Sequence, residues 1–169
     1  FAHTFSNDRV TAKINLFKVD KETGKAVPQG DATLKGAVYG LYAREDIVHP
    51  DGATGTIYKA GEQVASLTTD DKGQSSVNGL YLGKYYIKEI TPPTGYLADT
   101  EEHDLVCSYE GDMTAEVKRE CTSSEQVIKQ PFQIIKAANN GKTDADLLSG
   151  AGFTVYLKSS LIKLSLIHI

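Results

Sequence analysis

Residues 79–96 narrow the choice of fold more than any other stretch: glycines at Gly79 and Gly83 mark a turn, strict alternation runs from Lys84 to Ile90, and Pro92, Pro93 and Gly95 form a rigid corner. Alternation of period two predicts a strand with Tyr85, Ile87 and Glu89 on one face and Tyr86, Lys88 and Ile90 on the other. The corner must end that strand, because proline cannot donate to a sheet ladder and restricts the residue before it. A carboxylate therefore stands on a face otherwise aromatic and aliphatic. Buried, Glu89 has to be protonated or partnered; at a strand end it could instead reach water.

A second misplaced charge lies near the start of the chain. In residues 12–20 the even positions Ala12, Ile14, Leu16 and Lys18 share a face, which puts a lysine among apolar groups. A lone lysine there can snorkel to solvent. Two charges of opposite sign, each on an apolar strand face, make a Lys18 and Glu89 pair worth expecting.

The remaining punctuation is that of short antiparallel strands. Turn signals recur at Thr23-Gly24, Asp51-Gly52, Asp71-Lys72-Gly73, Asn78-Gly79 and Glu110-Gly111-Asp112, and no long helical period interrupts them. Residues 43–60, with His49, Pro50, Gly52 and Gly55, read as a long surface loop or hairpin and as the region best placed to contact a ligand. His3, His49, His103 and His168 have no metal-ligand spacing, so no metal or other cofactor is expected. No phosphate-binding loop or nucleophile elbow is present. A net charge of −4 argues against nucleic acid or an anionic membrane as partner.

Several stretches together resemble the Cna B-type, or SpaA-type pilin, domains of Gram-positive surface proteins. These are Phe17-Lys18-Val19-Asp20-Lys21-Glu22-Thr23-Gly24-Lys25, then Leu34-Lys35-Gly36-Ala37-Val38-Tyr39-Gly40-Leu41-Tyr42, then Thr69-Asp70-Asp71-Lys72-Gly73. The most specific is Tyr86-Ile87-Lys88-Glu89-Ile90-Thr91-Pro92-Pro93-Thr94-Gly95-Tyr96, which is similar to the family's E-box. The resemblance implies an all-β, prealbumin-like Greek-key β-sandwich over residues 11–130. It also implies an intramolecular isopeptide bond, with Lys18 as the nucleophile and Glu89 as the proton shuttle. Desolvation favours the neutral amine and a protonated carboxyl that can polarise a carbonyl.

The acceptor departs from the family pattern. No Asn or Asp stands between Asp112 and Asn139, and the usual acceptor position just before the next domain holds Lys129 or a neighbouring Gln. The acceptor is left unassigned, with a purely structural Lys18–Glu89 ion pair as the competing account.

An internal repeat predicts tandem domains. Phe132-Gln133-Ile134-Ile135-Lys136, followed by Gly150-Ala151-Gly152-Phe153-Thr154-Val155-Tyr156-Leu157, echoes Leu16-Phe17-Lys18 and the later Gly36–Tyr42 stretch. Residues 131–163 are read as the first strands of a second, truncated domain, with Lys136 as its candidate nucleophile, and residues 1–10 as a linker or the end of a preceding segment. Residues 164–169 match a translation of CTGTCTCTTATACACATC, which resembles a transposon end used in sequencing libraries, and are read as a non-native adaptor read-through. Phe1 in place of Met points to a missing start, so the lack of a signal peptide or sorting motif carries no meaning.

Cys107 and Cys121 both fall on inward-facing parities. A three-residue turn at 110–112 would make their strands a hairpin, aligning Cys107 with Ala115 and Cys121 with Glu101. The thiols would then lie roughly 13 to 20 Å apart along the strands, beyond the Cα separation of about 7 Å that a disulfide tolerates. Free buried thiols are expected in that register, and a bulge or different pairing would change it.

The functional expectation is a structural stalk or spacer domain of a pilin or adhesin, extracellular and at the cell surface or cell wall, whose partners are neighbouring domains of the same type. A ligand-binding module using residues 43–60 against host matrix or carbohydrate is the alternative, and an accessory domain of a secreted enzyme a third. No turnover catalysis is expected beyond a single autocatalytic self-linkage, and no direct membrane insertion.

Overall fold

In a computed structural model the described residues are 3, 8–136 and 150–156. The chain divides into two units, Phe1–Lys129 and Gln130–Ile169. The described residues of the second unit, 130–136 and 150–156, carry no assigned strand, and Lys136 is exposed. The expected adaptor, 164–169, lies outside the described residues.

The first unit is all β. Its strands are β1 (Thr11–Asp20), β2 (Val38–Ala43), β3 (Ile47–Val48), β4 (Thr56–Tyr58), β5 (Gln63–Thr68), β6 (Gln74–Leu80), β7 (Gly83–Thr91), β8 (Glu102–Cys107) and β9 (Glu116–Glu125). A three-stranded sheet in the order β6-β1-β9 and a four-stranded sheet in the order β5-β2-β7-β8 form the sandwich, and β3 with β4 makes a separate hairpin. That hairpin occupies the 43–60 region anticipated as a loop or hairpin.

The period-two pattern of β1 explains the core. Ala12, Ile14 and Leu16 are fully buried beside Val117 and Cys121 of β9 and cluster with Tyr39 and Leu41 of β2 and Tyr85 and Ile87 of β7. Burial of this kind contributes roughly 1.5–3 kcal/mol per large aliphatic or aromatic side chain. β1 runs antiparallel to β6 but parallel to β9, pairing Thr11 with Glu116 through to Asp20 with Glu125. The first and last strands of the domain are thus neighbours.

This topology corrects the cysteine register. β8 pairs with β7 in one sheet and β9 with β1 in the other, so no β8–β9 hairpin forms despite the short turn. Cys107 and Cys121 are buried free thiols on opposed sheets. Burial pushes Cys121 up to about 11 and raises Cys107 as well, which makes both poor nucleophiles.

Candidate functional site

Continuing each strand's alternation past the apolar core brings charged groups together at one end of the sandwich. On β1 the buried series Ala12, Ile14, Leu16 runs on to Lys18 and Asp20. On β7 it runs from Tyr85 and Ile87 to Glu89, and on β9 from Cys121 to Ser123 and Glu125. Lys18 is fully buried, and the side chains of Glu89 and Glu125 are 1% and 2% exposed. Neither snorkelling of Lys18 nor escape of Glu89 to water occurs.

The lysine lies between two carboxylates. Its Nζ contacts Glu125 Oε1 and lies 3.5 Å from Glu89 Oε1. It also donates to the Tyr39 hydroxyl at 3.3 Å, and the rings of Tyr39 and Tyr96 flank it with centroids at 5.8 and 5.6 Å. Tyr39 stands opposite Glu89 in the β2–β7 pairing. Glu125 Oε1 is within reach of the Tyr39 hydroxyl, at 2.8 Å, and of Ser123 Oγ, at 3.2 Å. Glu125 Oε2 is buried and has no hydrogen-bond partner among the described residues.

Charge bookkeeping in this dry pocket requires a proton. One ammonium and two ionised carboxylates would leave a net negative charge without solvent to screen it. Glu89 is pushed up to about 7, chiefly by burial and further by the neighbouring Glu125 carboxylate, against the Asp99 N–H and the Lys18 charge. Near neutral pH it therefore holds a proton for a substantial part of the time. Burial also drives the Tyr39 phenol far above its ordinary range, so it remains a neutral hydroxyl.

The corner after β7 braces the arrangement. The Asp99 N–H donates to Glu89 Oε2 at 2.8 Å, and the Asp99 carboxylate accepts from Ser123 Oγ at 3.0 Å and from the Glu101 N–H at 2.9 Å. His103 Nε2 lies 2.7 Å from Asp99 Oδ2. Asp20, opposite Glu125, accepts from the N–H groups of Glu22 and Thr23 and from the Tyr96 hydroxyl at 3.0 Å. Those bonds tie the Asp20 carboxylate, at the end of β1, to the turn that follows and to Tyr96.

The structure brings Lys18 and Glu89 together, and Lys136 belongs to the other unit. The residues looked to for the acceptor position are not near Lys18: Lys129 is at the surface, 2.5 Å from Glu22, and Gln126 also bonds Glu22. The carboxyl facing Lys18 is Glu125. Sequence reasoning passed over it because the search was confined to Asn and Asp. The available signal was parity, since Val117 and Cys121 extend by twos to Ser123 and Glu125. Among the described residues no cluster of His, Cys, Asp and Glu could hold a metal ion, and no helix is long and apolar enough to cross a membrane.

Comparisons with known proteins bear on the fold. A family model described as SpaA, prealbumin-like fold domain, matches residues 12–120. No curated protein matches the chain. Among solved structures, the TIE protein of Bacillus anthracis is similar at 23% identity over 70% of this chain and 18% of that one, with a TM-score of 0.46. The minor pilin GBS52 of Streptococcus agalactiae is similar at 21% identity over 75% of this chain and 49% of its own, TM-score 0.46. The full-length major pilin SpaD of Corynebacterium diphtheriae is similar at 14% identity over 68% and 30%, TM-score 0.46. The chain spans less than half the length of each.

Proposed function

The chain belongs to the SpaA family of prealbumin-like fold domains, and on that premise we propose that it is a load-bearing stalk module of a bacterial cell-surface projection, self-linked between Lys18 and Glu125. The observation that carries this reading is the fully buried Lys18 amine held against a carboxyl of the last strand, with Glu89 3.5 Å away on the other sheet. An ion pair alone is a weak reason to bury three ionisable groups, since apolar residues of similar volume stabilise as well or better. A reaction that needs a neutral amine, a carboxyl acceptor and a proton-carrying neighbour uses all three.

In this reading Lys18 Nζ attacks Cδ of Glu125 and an amide forms with loss of one water. Glu89 passes protons from the nitrogen to the departing oxygen. The amide replaces a buried ion pair with a neutral group. Mechanically, the bond joins β1 to β9 near their C-terminal ends. Force entering at Thr11 would leave after Glu125 without loading the strands between. Residues 131–163, with Lys136, are proposed as the start of a second such module, and the projection as the setting in which neighbouring modules are partners.

Intact mass of the full chain under reducing and non-reducing conditions, with peptide mapping, tests the reading. A mass lower by one water, mapped to a peptide joining Lys18 and Glu125, is expected. A full-mass chain with both residues recovered in separate peptides would refute the self-linkage.

A cleft near the start of β1, at the other end of that strand from Lys18, supports a second reading as a binding module. Val48 and Pro50 of the β3 region, with Arg9, Tyr81, Leu82 and Tyr109, line a space of about 300 Å³ in which Arg9 stacks on Tyr81 at 4.0 Å. Matrix or carbohydrate binding that disappears when residues 49–55 are shortened would favour it. Unchanged binding would exclude this cleft.

A further inference from the structure

The reading above needs the Lys18 ammonium, which has no lone pair, to lose a proton from a site closed to solvent. We infer that a hydrogen-bonded chain through Tyr39, Ser123 and Asp99 to His103 is the proton exit for Lys18, an inference that rests on the proposed Lys18–Glu125 condensation. The three links from Lys18 to Asp99 have the donor sense that such a chain requires. Lys18 Nζ donates to the Tyr39 hydroxyl at 3.3 Å, Tyr39 donates to Ser123 Oγ at 3.0 Å, and Ser123 donates to Asp99 Oδ2 at 3.0 Å. His103 Nε2 follows at 2.7 Å.

The chain starts in the dry core and ends at water. Tyr39 and Ser123 are fully buried, the Asp99 side chain is 10% exposed and that of His103 24%. Asp99 and His103, with Ser124 and Glu125, border a cleft of about 320 Å³. A hydroxyl passes a proton by accepting one and releasing another, so Tyr39 and Ser123 need never ionise. Asp99 is the first group on the path that can hold the proton as a charge change, and its carboxylate is kept ionised and oriented by Glu101, His103 and Ser123.

Tyr39 and Ser123 each have a second acceptor in Glu125 Oε1, at 2.8 and 3.2 Å. When both hydroxyls turn towards Asp99, the Tyr39 oxygen is left to accept from Lys18. When they turn towards Glu125, they stabilise its carboxylate instead. Ser123 Oγ lies nearer Asp99 than Glu125, at 3.0 against 3.2 Å, which favours the first arrangement for that hydroxyl.

The condensation balances with this path in place. The nitrogen loses two protons, the Nζ–Cδ bond forms, a Cδ–O bond of Glu125 breaks, and that oxygen leaves as water carrying two protons. The first proton leaves Lys18 along the chain before attack. The second passes to Glu89, which supplies it and its own proton to the departing oxygen and is left as the carboxylate, so one proton in all leaves the site. Asp99, Ser123 and Tyr39 are unchanged at the end.

The test follows the fraction of full chain lighter by one water with time after cell-free translation, for wild type, Asp99→Asn, Ser123→Ala and Ser123→Thr. Asparagine keeps the backbone N–H to Glu89 and an acceptor for Ser123 but is not a base. Asp99→Asn is therefore expected to slow the reaction by on the order of a hundredfold, in the range of a lost general base. Ser123→Ala should slow it similarly, and Ser123→Thr, which restores the hydroxyl, should recover most of the rate. Circular dichroism of each variant checks that the sandwich is retained. Asp99→Asn reacting at the wild-type rate would overturn the exit path while leaving the crosslink intact. A wild-type chain that stays at full mass would overturn both, because the path would then serve no reaction.

Discussion

Lys18 and Glu125 meet on a diagonal. In the parallel β1–β9 ladder Lys18 stands opposite Ser123 and Glu125 opposite Asp20, yet the lysine amine touches the Glu125 carboxylate. The glutamate side chain reaches back by one same-face position, which a shorter carboxylate at 125 would not span. Ser123, directly opposite Lys18, is left free to bridge Tyr39 and Asp99.

That geometry makes Glu125 decisive. Glu125→Ala is expected to keep full mass and to strand Lys18 beside Glu89 alone. Removing one partner of a buried ion pair costs about 3–5 kcal/mol, a loss to be read from urea unfolding against Glu89→Gln, which keeps the Lys18–Glu125 pair unlinked. Glu125→Gln offers an amide in the same place, and a reacting variant would become lighter by one ammonia instead of one water. A Glu125→Ala chain that still lost water would place the acceptor elsewhere.

Glu89 sets the pH dependence. Before the bond forms, its folded value of about 7 lies above the ordinary 4.5, so the folded chain binds the proton more tightly than the unfolded one. The stability this contributes is complete below about 4.5 and is lost as pH rises through about 7. The same proton serves the condensation, so the rate of mass loss should decline as pH rises through about 7. Glu89→Gln should abolish the mass loss at every pH. A wild-type rate that climbed steadily above pH 7 would show that proton loss from the amine, and not the acid form of Glu89, governs the reaction.

Much of this site was legible because a strand's period is two. Alternation alone put Lys18 and Glu89 on apolar faces, and the same alternation carried from Cys121 would have reached Glu125. The parallel pairing of β1 with β9 was harder to see. A short turn at 110–112 invites a local hairpin, whereas β9 gains more by completing the sheet around β1, where Val117 and Cys121 join Ile14 and Leu16 in the core. Asp99 and His103 escaped notice for another reason. Their approach depends on how the corner at 92–96 folds back, through contacts such as Ile128 N–H to Gly95 O at 2.8 Å and Thr33 N–H to Thr94 O at 3.0 Å, and no periodicity encodes those.

The corner itself can be tested at Gly95. Its φ of +87° is strained for a side chain, and an added Cβ would come within 2.6 Å of the Ala32 Cβ. Gly95→Ala should cost about 1–3 kcal/mol and slow crosslinking, because the corner delivers Asp99 to Glu89. Denaturant midpoints and mass time courses measure the two effects. A variant as stable as wild type would mean that residues 29–33 yield freely.

Force spectroscopy separates a covalent tie from an ion pair. Pulled from its two ends, the crosslinked first unit carries load from β1 through the Lys18–Glu125 amide and out after β9, so residues 19–124 stay slack. Wild type should therefore show no unfolding extension from that stretch. Lys18→Met cannot form the bond and must bear the load on β1–β9 hydrogen bonds alone, which run across the pulling direction in this parallel pair. It should yield at finite force and release on the order of 350 Å of chain. It also leaves Glu89 and Glu125 without a cation, so its unfolding force should be higher in mildly acidic buffer, where a shared proton relieves their repulsion. Equal extension in wild type and Lys18→Met would mean that only packing joins the first and last strands.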